Sequence, residues 1–289
     1  MTAIPLDRTP GIPALARGLA TGTPDVSAFL PRAANLAAVA ERASAVRSAF
    51  RPRALGANAD RRLAALATGA EVGVFTGQQA GLFGGPHLTL AKAVAAEKLA
   101  ADLAAAGTPA AAAFWCASED HDLVEVTRVV LPTPDGPRDA GPDPAPLASN
   151  RAPVGALPIG DAAEAILQAA VESLGAAADE QAAAALRDAH GGRTFFDAFT
   201  RTLDWLLDDG LPVLDAADVR DKPALVPLAV QLVKERRRVR ALLDARDAAL
   251  EAAGYPLQVR RDPSAVPLFL RVGGERLLLV EDDGRLTLK

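Results

Sequence analysis

The sequence predicts an α/β fold, a parallel sheet with inserted helices and a small antiparallel meander at the C-terminus, and three observations predict it. The apolar run Val72 to Phe75, a helical pattern from Pro86 to about Ala106, and the apolar run Ala110 to Ala117 place strand, helix and strand within about 45 residues. That is the spacing of a βαβ unit, whose right-handed crossover leaves both strands parallel and both strand ends on one rim. A third apolar run, Leu211 to Asp215, ends in an aspartate that can reach the same rim. Finally, Leu268–Val272, Glu275–Val280 and Arg285–Leu288 are separated by Gly273-Gly274 and Asp283-Gly284, dipeptides that favour tight hairpin turns.

Taken in order, residues 1–70 read as an N-terminal arm and helices: Met1 to Gly22 is rich in proline and glycine and predicts an extended arm, and Asp25 to about Thr68 has a helical pattern. Residues 71–131 form the first half of the core. There the spacing of Leu88, Ala91, Ala95, Leu99 and Leu103 predicts the buried face of the crossover helix, with Trp115 filling space between sheet and helix. Residues 132–160 are a connecting segment: eight prolines between Pro132 and Pro158 predict a loop or short hairpin. Residues 161–255 hold helices and the third core strand. Asp161 to Ala189 splits near Gly175, and Thr194 caps a helix whose Phe195, Phe199, Leu203 and Leu206 make a core stripe. Asp221 opens one long helix to Ala253, basic in the middle from Lys234 to Arg240, as a solvated or inter-subunit face or a phosphate contact. Residues 256–289 are the antiparallel tail, whose uncovered last strand is a pairing surface for a dimer or a second chain.

Composition narrows the function. With 289 residues, 50% hydrophobic and 23% charged, the chain is of ordinary globular type. A net charge of -5 argues against nucleic acid as a partner. The long uncharged stretches are broken by glycine and proline, so no membrane helix and no secretory leader is expected. The single cysteine, Cys116, excludes an internal disulfide, fits the cytoplasm, and reads as a buried strand residue.

The rim carries the chemistry. Between the first strand and the helix lie Thr76, Gly77, Gln78, Gln79, Gly81, Gly84 and Gly85, followed by His87, Thr89 and Lys92 on the helix. Glycines let the backbone approach a ligand, and the open N–H groups of the helix favour an anion such as phosphate or carboxylate. Lys92 is one of five lysines beside 26 arginines, which sets it apart from background charge. Opposite stand Ser118, Glu119, Asp120, His121 and Asp122. Their carboxylates can bind an ammonium, take a proton from an amine, or hold Mg²⁺. Cys116, His121 and Asp122 do not form a zinc-ligand spacing, so no metal centre is assigned.

Thr76-Gly77-Gln78-Gln79, Gly81-Leu82-Phe83-Gly84-Gly85-Pro86, the Thr89 and Lys92 pair, and Ser118-Glu119-Asp120-His121-Asp122 together resemble the cysteine-adding enzymes of bacillithiol biosynthesis. Weaker similarity runs through Thr194–Asp197 to Asp215 and through Gly254–Val259. The resemblance implies a Rossmann-like core and a ligase that joins the carboxyl of cysteine to the amine of glucosaminyl malate. It also implies a long helical hairpin that supports a dimer, in a chain usually much longer than this one; a truncated or split homologue that binds a partner chain without catalysis is the alternative. Amide formation from a free carboxylate is uphill in water, so ATP is the expected source of activation, with Mg²⁺ as its companion ion. On this reading His87, Lys92, Asp120, His121 and Asp122 are the catalytic candidates, and Lys92, His87 and the Gly84-Gly85 amides hold phosphate. Thr76, Gly77, Gln78, Gln79, Thr89, Ser118 and Glu119 bind substrate or nucleotide.

Overall fold

The computed structural model describes residues 11–21, 57–133, 135–141, 143, 152–175, 178–208, 210–218, 222–257, 259 and 261–289. The helical pattern expected between Asp25 and Gly56, and the Asp221 cap, lie outside them. Two compact units divide the chain: Met1–Glu41, Pro227–Leu268 and Leu278–Lys289 make one, and Arg42–Val226 with Phe269–Leu277 the other. Within the first, the stretch expected as an extended arm contains a helix, α1 (Ala14–Thr21).

The larger unit runs through α2 (Ala57–Thr68), β1 (Val72–Gln78), a 3-10 turn (Leu82–Gly84), α3 (His87–Ala105) and β2 (Ala110–Cys116). It continues through α4 (Leu123–Thr127), the hairpin β3 (Val130–Thr133) and β4 (Gly136–Asp139), α5 (Ala162–Leu174), α6 (Glu180–His190), α7 (Phe195–Leu206) and β5 (Val213–Asp215). Strands β1, β2 and β5 pair in parallel in that order. The registers Gln78↔Cys116 and Cys116↔Asp215 bring the three C-terminal ends side by side. This is the expected α/β core, and a short hairpin spans the junction at which the connecting segment is expected to begin.

Alternation along β2 separates two layers. Ala112, Phe114 and Cys116 join Ala93, Ala96 and Ala100 of α3 and Phe195, Phe199 and Leu203 of α7 in the main core. Ala111 and Ala113 meet Leu66 of α2 on the other face. The centre of the core is aromatic: the rings of Phe114 and Phe199 lie 5.6 Å apart and tilted by 52°, an arrangement favoured by their quadrupoles. The Thr194 side chain caps α7, accepting the Asp197 N–H at 3.2 Å, as its position in the sequence predicts.

Several packing expectations are corrected. Helix α3 buries Thr89, Ala93, Ala96 and Ala100 rather than the leucine stripe, and Leu88 and Leu99 stay 58% and 51% exposed. A face of small side chains lets the helix sit close on a strand that is mostly alanine, where leucines would overfill the gap. Trp115 is exposed instead of filling a gap: it shares the face of Ala111 and Ala113, and Leu66 packs against those two alanines. Phe75 is exposed too. Leu206, last in the aromatic stripe of α7, is also exposed.

The expected single long helix is two, in the smaller unit from Pro227 onward. Helices α8 (Lys222–Lys234) and α9 (Arg236–Ala252) are divided at Glu235, whose φ of -97° and ψ of 11° leave the helical region. The basic run is turned onto one carboxylate: Arg236, Arg237 and Arg240 lie 2.8, 3.3 and 3.5 Å from Glu281. The Arg236 hydrogen bond, against a smaller opposing effect of burial, holds the Glu281 carboxyl below the usual range. Glu281 belongs to β7 (Glu275–Asp282), which follows β6 (Ala265–Val272) and precedes β8 (Arg285–Leu288) in the C-terminal sheet. Asp283 and Gly284 both take positive φ, 46° and 77°, the requirement of the two-residue turn joining β7 to β8. The end of the β6–β7 hairpin, Phe269–Leu277, belongs to the larger unit. Among the described residues no helix is long and apolar enough to cross a membrane.

Candidate functional site

The glycine loop after β1 folds back on itself. Phe83, Gly84 and Gly85 take φ values of 55°, 85° and 74°, three successive left-handed residues of which only the two glycines adopt the conformation without strain. Phe83 is held there by a residue far along the chain. Its N–H donates to His190 Nε2 at 3.0 Å, its ring lies 4.5 Å from the imidazole, and His190 Nδ1 donates to the Leu186 carbonyl at 2.8 Å. One ring nitrogen accepting and the other donating makes His190 a neutral imidazole. Burial lowers its pKa, and the Leu186 carbonyl, which acts the other way, is the weaker influence.

Gly81 closes the fold-back. A Cβ there would lie 2.8 Å from the Gly85 Cα, a distance that backbone cannot accommodate without moving. Gly81→Ala is expected to cost about 1–3 kcal/mol by overpacking, read as a lowered urea midpoint with an unchanged m-value.

From this loop two glutamines reach in different directions. Lys92 on α3 donates to the Gly77 carbonyl at 3.2 Å and to Gln78 Oε1 at 2.8 Å, and Gln78 Nε2 donates to Glu125 at 3.0 Å. Gln79 Nε2 donates to Asp120 Oδ2 at 2.8 Å. The other Asp120 oxygen accepts the His121 N–H at 2.8 Å and Arg276 Nη1 at 3.2 Å. Burial by itself would raise the Asp120 carboxyl, but the His121 N–H, the Gln79 amide and the Arg276 charge outweigh it and hold the group below the usual range. Asp120 is therefore a fixed negative charge, better suited to binding a cation than to taking up a proton.

The remaining sequence candidates divide by burial. Ser118 is fully buried; its hydroxyl donates to Asp215 and accepts the Ala217 N–H at 3.0 Å, tying β2 to β5 at the rim. Asp122 caps α4 by accepting the Glu125 N–H at 3.0 Å. His121 is exposed, its Nδ1 3.3 Å from Asp120. Glu119 is half-buried beside them. Thr76 stands on β1 and His87 begins α3; among the described residues neither side chain makes a hydrogen bond. Thr89, 1% exposed, has an Oγ1 with no partner among the described residues, 3.1 Å from where a Cβ on Gly85 would sit. Cys116 is buried, and burial followed by the Asp215 charge pushes its thiol far up, so it is not a thiolate nucleophile.

Sequence reasoning missed three participants: Glu125, Arg276 and His190 as the anchor of the glycine loop. Glu125 lies only three residues past Asp122, within the same helical turn, so its position was legible. Arg276 and His190 lie 156 and 107 residues from their partners, and no local pattern signals such pairs.

The rim thus presents opposite charges on neighbouring segments. Lys92 and the start of α3, whose Pro86 N-cap offers no side-chain cap, favour an anion. Asp120, with Asp122 and Glu125 exposed nearby, favours a cation. Among the described residues no group of three or more His, Cys, Asp or Glu side chains could hold a metal ion.

Residues 32–289 match the family model described as bacillithiol biosynthesis BshC, N-terminal Rossmann-like domain. Three similar proteins each carry the name "Putative cysteine ligase BshC". That of Koribacter versatilis is 39% identical over 209 residues, 71% of this chain and 38% of the relative. Those of Geobacillus thermodenitrificans and Solibacter usitatus are 32% and 31% identical, covering 72% and 88% of this chain and 39% and 48% of the relatives. The chain therefore spans less than half the length of these curated relatives. A matched family model over most of the sequence, on a parallel sheet whose strand ends gather the motif residues, establishes that this chain belongs to the BshC family of bacillithiol biosynthesis, in its N-terminal Rossmann-like domain.

Proposed function

We propose that this chain carries the site at which the carboxyl of cysteine is joined to the amine of glucosaminyl malate. The observation that carries the reading is the juxtaposition of Lys92, beside the open N-terminus of α3, with the ionised Asp120 at one sheet rim. An amide ligase has to handle both kinds of charge: anionic oxygen on the activated carboxyl and its leaving group, and an ammonium that must lose protons before its nitrogen attacks. The His87 and Leu88 N–H groups and Lys92 hold anionic oxygen, and Lys92 stabilises charge as it develops. Gln78 and Gln79, each already committed to a carboxylate partner, fix the spacing between the two halves of the site. Asp120 holds an ammonium. Asp122 and His121, exposed at the same turn, are the groups placed to take up the proton that the amine releases.

Activation of the carboxyl is assigned to ATP, whose phosphoryl chemistry supplies the driving force that the free acid lacks. Lys92 and the α3 N-terminus suit phosphate oxygen as they suit carboxylate. Mg²⁺ often takes only one or two protein carboxylates and completes its shell with phosphate and water, so it would arrive with the nucleotide rather than reside in a protein cage. Mass spectrometry of the chain incubated with glucosaminyl malate, cysteine and ATP tests the reading, alone and with a polypeptide supplying the remaining length of the relatives. The cysteine adduct is the expected product; its absence from both mixtures removes the ligase reading.

A further inference from the structure

Arg276 enters the site from a distant part of the sequence, and its guanidinium is only partly committed. It lies near the turn of the β6–β7 hairpin, in the segment Phe269–Leu277 that belongs to the same compact unit as the rim. Its guanidinium carbon sits 3.7 Å from the centroid of the Phe269 ring, and its Nη1 donates to Asp120 Oδ1 at 3.2 Å. Stacking on an aromatic face fixes the plane of the guanidinium, and the bond to Asp120 fixes its rotation in that plane. Among the described residues nothing bonds Nε or Nη2. The side chain keeps 23% of its surface open.

That Nε–Nη2 edge is the one that receives a carboxylate in the parallel two-bond geometry. An arginine whose orientation is set in advance loses little side-chain freedom when the ligand arrives. We infer that Arg276 is a specificity-determining residue which grips a carboxylate of the acceptor substrate through its Nε–Nη2 edge. This rests on the ligase reading above, in which the acceptor is an amino sugar bearing a malyl group with two carboxylates. Asp120, bonded to the same guanidinium, stands next to the grip, so an acceptor held by its acid group presents its ammonium to a neighbouring carboxylate. The pair reads the acceptor as a molecule carrying both charges, and an amino sugar without the acid group forfeits the arginine contact.

The test is calorimetric titration of the chain and of Arg276→Gln and Arg276→Lys with glucosaminyl malate, malate and methyl glucosaminide. The expected result is at least ~10-fold weaker binding of glucosaminyl malate by Arg276→Gln, the loss of a two-bond charged contact. Arg276→Lys, which keeps the charge without the fork, should recover only part of that loss, and methyl glucosaminide, which has no acid group to lose, should change in affinity far less than glucosaminyl malate. Equal loss for the acid and the neutral sugar would mark a structural role and overturn the inference, as would unchanged affinity for glucosaminyl malate. If the chain binds malate in an Arg276-dependent way but not glucosaminyl malate, the carboxylate grip stands and the acceptor assigned above is wrong. Binding neither overturns both.

Discussion

Replacing Lys92 with alanine should lower turnover by about 100-fold or more while leaving the fold intact, the scale of effect seen when a fixed group that stabilises developing negative charge is removed. Lys92 Nζ is held by the Gly77 carbonyl and Gln78 Oε1, two acceptors that leave one ammonium N–H to point at a ligand. Because the side chain is only half-buried, its loss should cost little stability, and the unfolding midpoint should stay close to that of the parent chain. Arginine at the same position keeps the charge but changes the reach and spreads it over a planar group, so Lys92→Arg should recover only a small part of the activity. A parent-like kcat in Lys92→Ala would remove the residue from the chemistry and leave it as a tie between α3 and the end of β1.

His190→Ala should destabilise the larger unit by about 3 kcal/mol. It empties a buried site, removes a ring stacked on Phe83, and orphans the Phe83 N–H and the Leu186 carbonyl. The loop that it anchors carries the left-handed turn of Phe83, so loss of site affinity should accompany loss of stability. The same residue predicts a pH dependence. His190 is neutral in the folded chain with its pKa below the ordinary 6.5, whereas the unfolded chain takes up a proton there as pH falls through that value. More protons bind the unfolded state, so stability falls as pH drops below 6.5 and is unaffected by this group above it. The slope in that window is up to ~1.4 kcal/mol per pH unit. Urea unfolding between pH 5 and 8 reads it. His190→Gln should be less stable but should flatten the slope; an equally steep slope in that variant would assign the effect to other groups.

Part of this architecture is encoded by local pattern. A Gly-Gly and an Asp-Gly dipeptide set the turns of the C-terminal meander, Thr194 set the start of α7, and the two motif runs set the ends of β1 and β2, because capping and turn chemistry act within a few residues. The parallel crossover follows as well: it returns both strand ends to one side, where Gln79 reaches Asp120. The buried face of α3 is set by packing against the sheet. Periodicity favours the leucine stripe, but the closeness of an alanine-lined strand selects Ala93, Ala96 and Ala100, a matter of volume that a single helix does not encode. Packing likewise pairs Asp120 with Arg276 and Phe83 with His190. Those contacts join residues more than 100 positions apart, and they form because the packed elements, rather than neighbouring residues, carry the partners together.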